Sequence, residues 1–279
     1  MGEDLLVAKD LVVSYGRRPG LFAGGRPLVT VLNGVDIRVG KGETVGIVGE
    51  SGSGKTTLGR TLLGLVQPTV GSIVFDQTDI TKLDERARRP LRRRMQMIFQ
   101  DPMSSLNPRH RIERILVEPI LLHGLADGRK TAQSLMNAAL DRVGLSRNTA
   151  DKYSFELSGG QRQRVGIARA IVLQPDFVLA DEIVSGLDVS TQAQVLRLLK
   201  DLTAEMKLAL AFISHDLSVI RSICQRVIVM RDGRVVEEGP CERVFNAPRA
   251  SYTRKLIDAI PLPTVDPGWL VREMPAEAT

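Results

Sequence analysis

The sequence predicts an α/β fold, in which an N-terminal antiparallel β-layer precedes a core of buried parallel strands and a helical segment is inserted into that core. Three observations carry this reading. The short apolar runs in "TVGIVG", "DFVLADE" and "ALAFISHD" each stop at a glycine or a charged turn, as strands covered on both faces do. The first forty residues show strand segments broken by turn residues instead. From Asn107 to about Ala150 the apolar spacing is helical.

In chain order, "LLVAKDLVVSY" and "LVTVLNGVDIRVGKGE" read as strands flanking a Gly/Arg/Pro-rich loop at 16–27, with Asn33-Gly34 as a turn signal. "TVGIVG" then enters a glycine turn and the helical run "KTTLGRTLLGLV". The stretch "RARRPLRRR", residues 86–94, holds six arginines and no aromatic residue. It reads as a solvated face leading into the next strand, since base-stacking platforms need aromatic rings. A place beside an anionic leaflet is also compatible, at ~1 kcal/mol per Lys or Arg.

In "TAQSLMNAALDRVGL", Leu135, Met136, Ala139, Leu140 and Val143 share one helical face, and Gly144 supplies the stop. Beyond a second glycine turn, "LSGGQ" at 157–161, the two buried strands are separated by a helix at about 190–205. The pair "RVIVMRDGRVVEEG" turns at Asp232-Gly233. Prolines at 248, 261, 263, 267 and 275 mark the end as a wrapping extension rather than a second domain.

Composition excludes several classes. No apolar run approaches the ~18 residues that cross a bilayer, and the opening "MGEDLLVAKD" is acidic where a signal peptide is basic, so a cytosolic chain is expected. Cys224 and Cys241 lack C-x-x-C spacing and read as small buried hydrophobes in a reducing compartment. A net charge of +6 admits nucleic acid or an anionic surface without choosing between them.

The chemistry lies in the turns. Gly49-Glu50-Ser51-Gly52-Ser53-Gly54-Lys55-Thr56, with Thr57 following, matches G-x-x-x-x-G-K-[ST] and lies between a strand and a helix. Glycines let backbone N–H groups converge on phosphates, the helix N-terminus adds partial positive charge, Lys55 reaches the β- and γ-phosphates, and the Thr56 hydroxyl binds Mg²⁺. Such a site also needs a carboxylate at a buried strand end, and "FVLADE" supplies Asp181 for the metal with Glu182 as general base on the attacking water. His215 is one of three histidines and ends a strand. A lone histidine is usually structural, but the accompanying motifs point it at the γ-phosphate.

In their order, these motifs resemble the nucleotide-binding subunits of ABC transporters over nearly the whole chain. The resemblance implies a RecA-like P-loop core, with an ATPase domain over 1–245, a helical subdomain inserted at about 101–165, and a C-terminal extension at 246–279 of the peptide-importer type. It identifies Gln100 in "MIFQDP" as the Q-loop residue, with a catalytic and Mg²⁺-binding role. Ser158, Gly159, Gly160 and Gln161 become the signature, Asp188 in "SGLD" the D-loop aspartate, and His215 the switch histidine. Tyr15 in "VVSYG" is similar to the aromatic that stacks on adenine, with Phe22 a weaker rival. ATP and Mg²⁺ are the implied ligands.

The family also explains why one chain carries two glycine turns. Two subunits close head to tail, and the signature of one caps the ATP held by the P-loop of the other. The residues make this physically sound, since Ser158 offers a hydroxyl, Gly159 and Gly160 offer amides, and a helix begins near Gln161. "FQDPMSSLNPR", "DVSTQAQVLRLLKDL" and "SYTRKLIDAIPLP" resemble the oligopeptide, dipeptide and nickel importers, and "GKTTLGR" looks most like the second of their two ATPase subunits. The implied partners are a distinct sister ATPase, with a homodimer as the alternative, two transmembrane permease subunits and, indirectly, an extracytoplasmic solute-binding protein. The place is the cytoplasmic face of the membrane, and nucleic acid is not an expected partner.

Ile183 stands where the family has proline, Gly186 where it has alanine, and "ASYT" where it has "HPYT"; the cysteine-rich ending of some relatives is missing, so no iron–sulfur cluster is expected. The competing reading is a soluble ABC ATPase acting on ribosomes or nucleic acid. Such proteins usually carry paired cassettes or a long coiled-coil insertion, and neither is present. A binding module without turnover is opposed by Lys55, Glu182 and His215 together.

Overall fold

A computed structural model describes residues 3–16 and 28–259; Phe22, most of the expected 16–27 loop and the prolines at 261, 263, 267 and 275 lie outside the described residues. Strand β1 (Asp4–Tyr15) pairs antiparallel with β2 (Val29–Gly40), Tyr15 opposite Val29. Asn33-Gly34 is not the turn its sequence suggests. β2 runs through it, and the register slips from Leu11 opposite Val35 to Val12 opposite Asn33, which makes Gly34, at φ +67°, the extra residue of a bulge. A left-handed glycine serves a bulge as readily as a hairpin, and local sequence does not separate the two. On the other side of β1 lie β4 (Val70–Phe75) and β5 (Thr78–Asp79), giving the order β2-β1-β4-β5.

The second sheet is the core. Strands β3 (Thr44–Val48), β6 (Met95–Ile98), β7 (Phe177–Asp181), β8 (Ala209–Ile213) and β9 (Arg226–Arg231) are parallel, and β10 (Arg234–Pro240) adds antiparallel to β9 through the two-residue turn Asp232-Gly233. The order is β10-β9-β3-β8-β7-β6. The two-residue side-chain period sorts its faces. Phe177, Leu179, Ala209, Ala211 and Ile213 share a core with the antiparallel layer, whereas Val178, Ala180, Leu210 and Phe212 share the other with the helices. β3, β7 and β8 are buried along their whole length, which is why they read as unbroken apolar runs.

Helix α1 (Lys55–Leu62) follows β3 and lies tight on the sheet: a Cβ on Gly59 would stand 2.7 Å from Leu179 Cδ2. α2 (Glu85–Arg94) is capped by Asp84, whose carboxylate accepts from Ala87 N, and it buries no residue before running into β6. The arginine run is thus a solvated helical face. Several of its guanidinium groups nonetheless reach back to the chain: Arg88 donates to the carbonyls of Gly64 and Thr81, Arg93 to the carbonyl of Leu173, and Arg94 to Asp76 and Asp176. Beyond β6 come the short α3 (Pro102–Ser105), then α4 (Ile112–Leu122) and α5 (Arg129–Arg142). Ile112, Leu116 and Ile120 of α4 join Ala132, Met136, Ala139 and Leu140 of α5 in one core, with Leu135 half-buried and Gly144 turning the chain at φ +66°.

α6 (Gly159–Ile171) runs past 165, where the insertion was expected to end, and packs against β6. α7 (Val189–Met206), α8 (Leu217–Ile223) and α9 (Cys241–Asn246) complete the helical face, and α10 (Ser251–Asp258) follows. Cys224 and Cys241 are both buried. Among the described residues no helix is long and apolar enough to cross a membrane.

Candidate functional site: a nucleotide cradle and a signature turn

Parallel strands end at one edge of a sheet, and β3, β6, β7 and β8 deliver the P-loop, Gln100, Asp181-Glu182 and Ser214-His215 to that edge. The P-loop leaves β3 at Gly49, φ +151°, where a Cβ would stand 2.2 Å from Met230 O. Gly52 and Gly54 also hold positive φ, and a Cβ on Gly52 would meet nothing within 4 Å. The hairpin turn clamps this loop from outside, a contact with no local sequence signal: Gly233 N donates to Ser53 O and its own carbonyl accepts from Asn33 N.

Lys55 is 6% exposed, and its Nζ donates to the carbonyls of Gly49 at 2.8 Å and Glu50 at 2.9 Å. Burial pushes its pKa down, against the pull of Glu182 and Asp181. The Ser53 hydroxyl is buried without a partner. An orphaned hydroxyl, a half-satisfied ammonium, and the helix N-terminus at Lys55, Thr56 and Thr57 form a cradle that fits a polyphosphate. Glu50 and Ser51 are exposed on its rim.

Thr56 Oγ1 donates to Asp181 Oδ1 at 3.3 Å. Asp181 is 4% exposed, and burial pushes its carboxyl up despite the Thr56 bond. Glu182, directly after it, sits at φ 49°, a left-handed conformation costly for a residue with a side chain. Its amide donates to Ile213 O, and its carboxylate stands between Gln100 Nε2, 3.1 Å from Oε2, and His215 Nδ1, 3.5 Å from Oε1. Gln100 therefore bonds Glu182 rather than Asp181. Ile183 is packed into the core at 1% exposure, and Gly186 holds φ +77°, a conformation open to glycine without strain.

The signature lies elsewhere. Ser158 caps α6: its Oγ accepts from Gln161 N at 3.3 Å while Gln161 Oε1 accepts from Ser158 N at 3.0 Å. With Gly159 and Gly160 these residues line a groove of about 540 Å³. None of the P-loop residues lines it, but Gly186 and Leu187 do, and the same two line the cavity of about 140 Å³ beside Glu182 and His215. Asp188 caps α7, its carboxylate accepting from Thr191 N and from the hydroxyls of Ser190 and Thr191. Tyr15 is 47% exposed at the end of β1. Its partner Val29 lies two residues along β2 from Val31, whose carbonyl abuts Gly54.

Comparison with known proteins points the same way. The family model described as ABC transporter matches residues 32–185. A Brucella ovis protein named for peptide import and ATP binding is 51% identical over 238 residues, which are 85% of this chain and 74% of the relative. The oligopeptide transport ATP-binding protein OppF of Lactococcus lactis is 44% identical over 258 residues, 92% of this chain and 81% of the relative. Among solved structures, a dimeric ATP-binding cassette in a post-hydrolysis state, bound to ADP and Pi, superposes with a TM-score of 0.71 at 29% identity, covering 85% of this chain and 98% of that one. With a polyphosphate cradle at the sheet edge and an acidic pair beside it, this chain belongs to the ABC transporter family, as one of its ATP-hydrolysing subunits.

Proposed function

We propose that this ATPase powers uptake of peptides or a similar small solute through two membrane-embedded partner subunits, from the cytoplasmic face of the membrane. The observation that carries the catalytic part is the position of Glu182, held between Gln100 and His215 beside the Lys55 cradle. The amides from Gly52 to Thr56 receive the phosphates, and Lys55 exchanges its two carbonyl partners for phosphate oxygens. Glu182 accepts the proton of the attacking water, while Gln100 and His215 keep its carboxylate oriented, and His215 also faces the γ-phosphate. Thr56 and Asp181 are hard oxygen donors suited to Mg²⁺, with Gln100 able to join them, and when bound the ion neutralises phosphate charge.

The ATPase domain spans 1–245, with 246–279 as an extension. Ser158, Gly159, Gly160, Gln161 and Asp188 act on the nucleotide of the partner subunit, and Tyr15 stacks on adenine. Names of relatives at 44–51% identity support peptide import over action on ribosomes or nucleic acid. A groove of about 690 Å³ supports coupling to a permease. It is bounded by Gln96 of β6, Ser105 and Asn107 after the Q-loop, and the apolar end of α4 at Leu121 and Leu122.

The test is Glu182→Gln. It should retain ATP binding and lose hydrolysis by about 10²–10⁴-fold, the contribution of a positioned base. Undiminished phosphate release would remove Glu182 from this role.

A further inference from the structure

Helix α10, the last of the described helices, reaches the phosphate loop through the side chain of Tyr252. Glu237, on β10, is 7% exposed. Its Oε1 accepts from Arg249 N at 3.0 Å and from Arg243 Nη1 at 3.0 Å, and its Oε2 from Ala250 N at 3.0 Å. Burial opposes the charge, but these donors overcome it and hold the carboxyl down to about 2. The backbone entering α10 is thereby pinned to the core sheet by bonds to a charged acceptor, the stronger kind.

Two residues on, Tyr252 is 7% exposed, with the Arg231 guanidinium 5.0 Å from its ring centroid. Its hydroxyl oxygen accepts from the backbone N–H of Glu50 at 3.1 Å, across 202 positions of sequence. The carbonyl of Glu50 in turn accepts from Lys55 Nζ at 2.9 Å and from Ser53 N at 3.2 Å. One phenol thus fixes the residue on which the P-loop lysine leans and which closes the first turn of the cradle.

We infer that Tyr252 is a positioning residue of the ATP site, through which α10, pinned by Glu237, holds the phosphate loop in its binding shape. The loop must present several amides to one polyphosphate, and a loop already fixed loses less entropy on binding. Glu50 belongs to the loop that holds Lys55, whereas Glu182 is held by Gln100 and His215, so the bond governs capture of nucleotide rather than the chemical step.

The test is Tyr252→Phe in the full chain, which keeps the ring and its Arg231 contact and deletes only the hydroxyl. The dissociation constant for a non-hydrolysable ATP analogue and the KM for ATP should both rise about threefold to tenfold, the range of one hydrogen bond, with kcat within about twofold. Amide exchange at Glu50 in nucleotide-free protein should quicken, while the unfolding midpoint stays within about 2 °C. Affinity within about twofold of the unaltered protein, or a midpoint lowered by more than about 5 °C, would overturn the inference, the first by leaving the hydroxyl idle and the second by making Tyr252 a packing residue.

Discussion

At the scale of single residues, Glu182 and Gly186 occupy left-handed backbone on the two sides of the short turn Ile183-Val184-Ser185. Glu182 accepts that strain because the turn lifts its carboxylate out of the buried strand β7 to lie between Gln100 and His215. Gly186 avoids it by lacking a side chain. A Cβ there would meet no atom within 4 Å, so Gly186→Ala carries conformational strain of about 1–2 kcal/mol without a clash. The expected result is a midpoint lowered by roughly 2–5 °C, read by thermal unfolding, with ATP affinity unchanged. These residues were legible in the sequence because each lies within a few positions of its motif: a buried run ending in Asp181-Glu182, or a glycine run ending in Lys55-Thr56. Tyr252 was not. Its partner is 202 positions away, and nothing local separates it from any other tyrosine on an amphipathic helix.

Among elements, the parallel strands could be read because burial on both faces makes them uniformly apolar, and the helices because their apolar faces recur every third or fourth residue. The misreading at Asn33-Gly34 has a physical origin, since a bulge and a hairpin both ask for one left-handed glycine and only the partner strand β1 decides between them. The attachment of α10 to β10 was equally hidden, because Glu237 works from the edge of the sheet. Its depressed carboxyl stabilises the fold above the ordinary carboxylate pKa, and this contribution is lost as pH falls toward about 2. Glu237→Gln should therefore lower the midpoint at pH 7 by at least about 3 °C and flatten its acid decline between about pH 4.5 and 2, measured by thermal unfolding against pH. The groove joining β6, α3, α4 and α6 makes a different prediction. Met103 and Leu122 are exposed apolar residues, 38% and 62% accessible, at the Q-loop segment and on the rim. Changing both to Asp should spare ATP binding by the isolated subunit and ATPase activity of the paired ATPase subunits, yet abolish solute uptake in reconstituted vesicles containing the permease. Full uptake would detach this groove from coupling.

For the whole molecule, the arrangement accounts for two glycine turns in one chain. On the proposed reading, the P-loop supplies one nucleotide with amides, a lysine and a paired hydroxyl and carboxylate. The signature at Ser158 lies in a groove that shares Gly186 and Leu187 with the cavity beside Glu182 and has no P-loop residue among its described lining, which supports the proposal that it faces a second subunit. Ser158→Arg tests this most directly. Arginine blocks the turn but also removes the cap of α6, at about 1 kcal/mol, so Ser158→Asp, which can still cap and sets negative charge against phosphate, is the companion variant. ATP binding to the isolated subunit is measured beside ATPase activity of the complex copurified with its partners. Both variants should bind ATP within about twofold of the unaltered chain, while activity at the partner's site falls about 10²-fold or more, as expected for lost oxyanion-type donors. Lost binding in the isolated subunit, with the partner's activity intact, would contradict the account and make the signature part of this chain's own site.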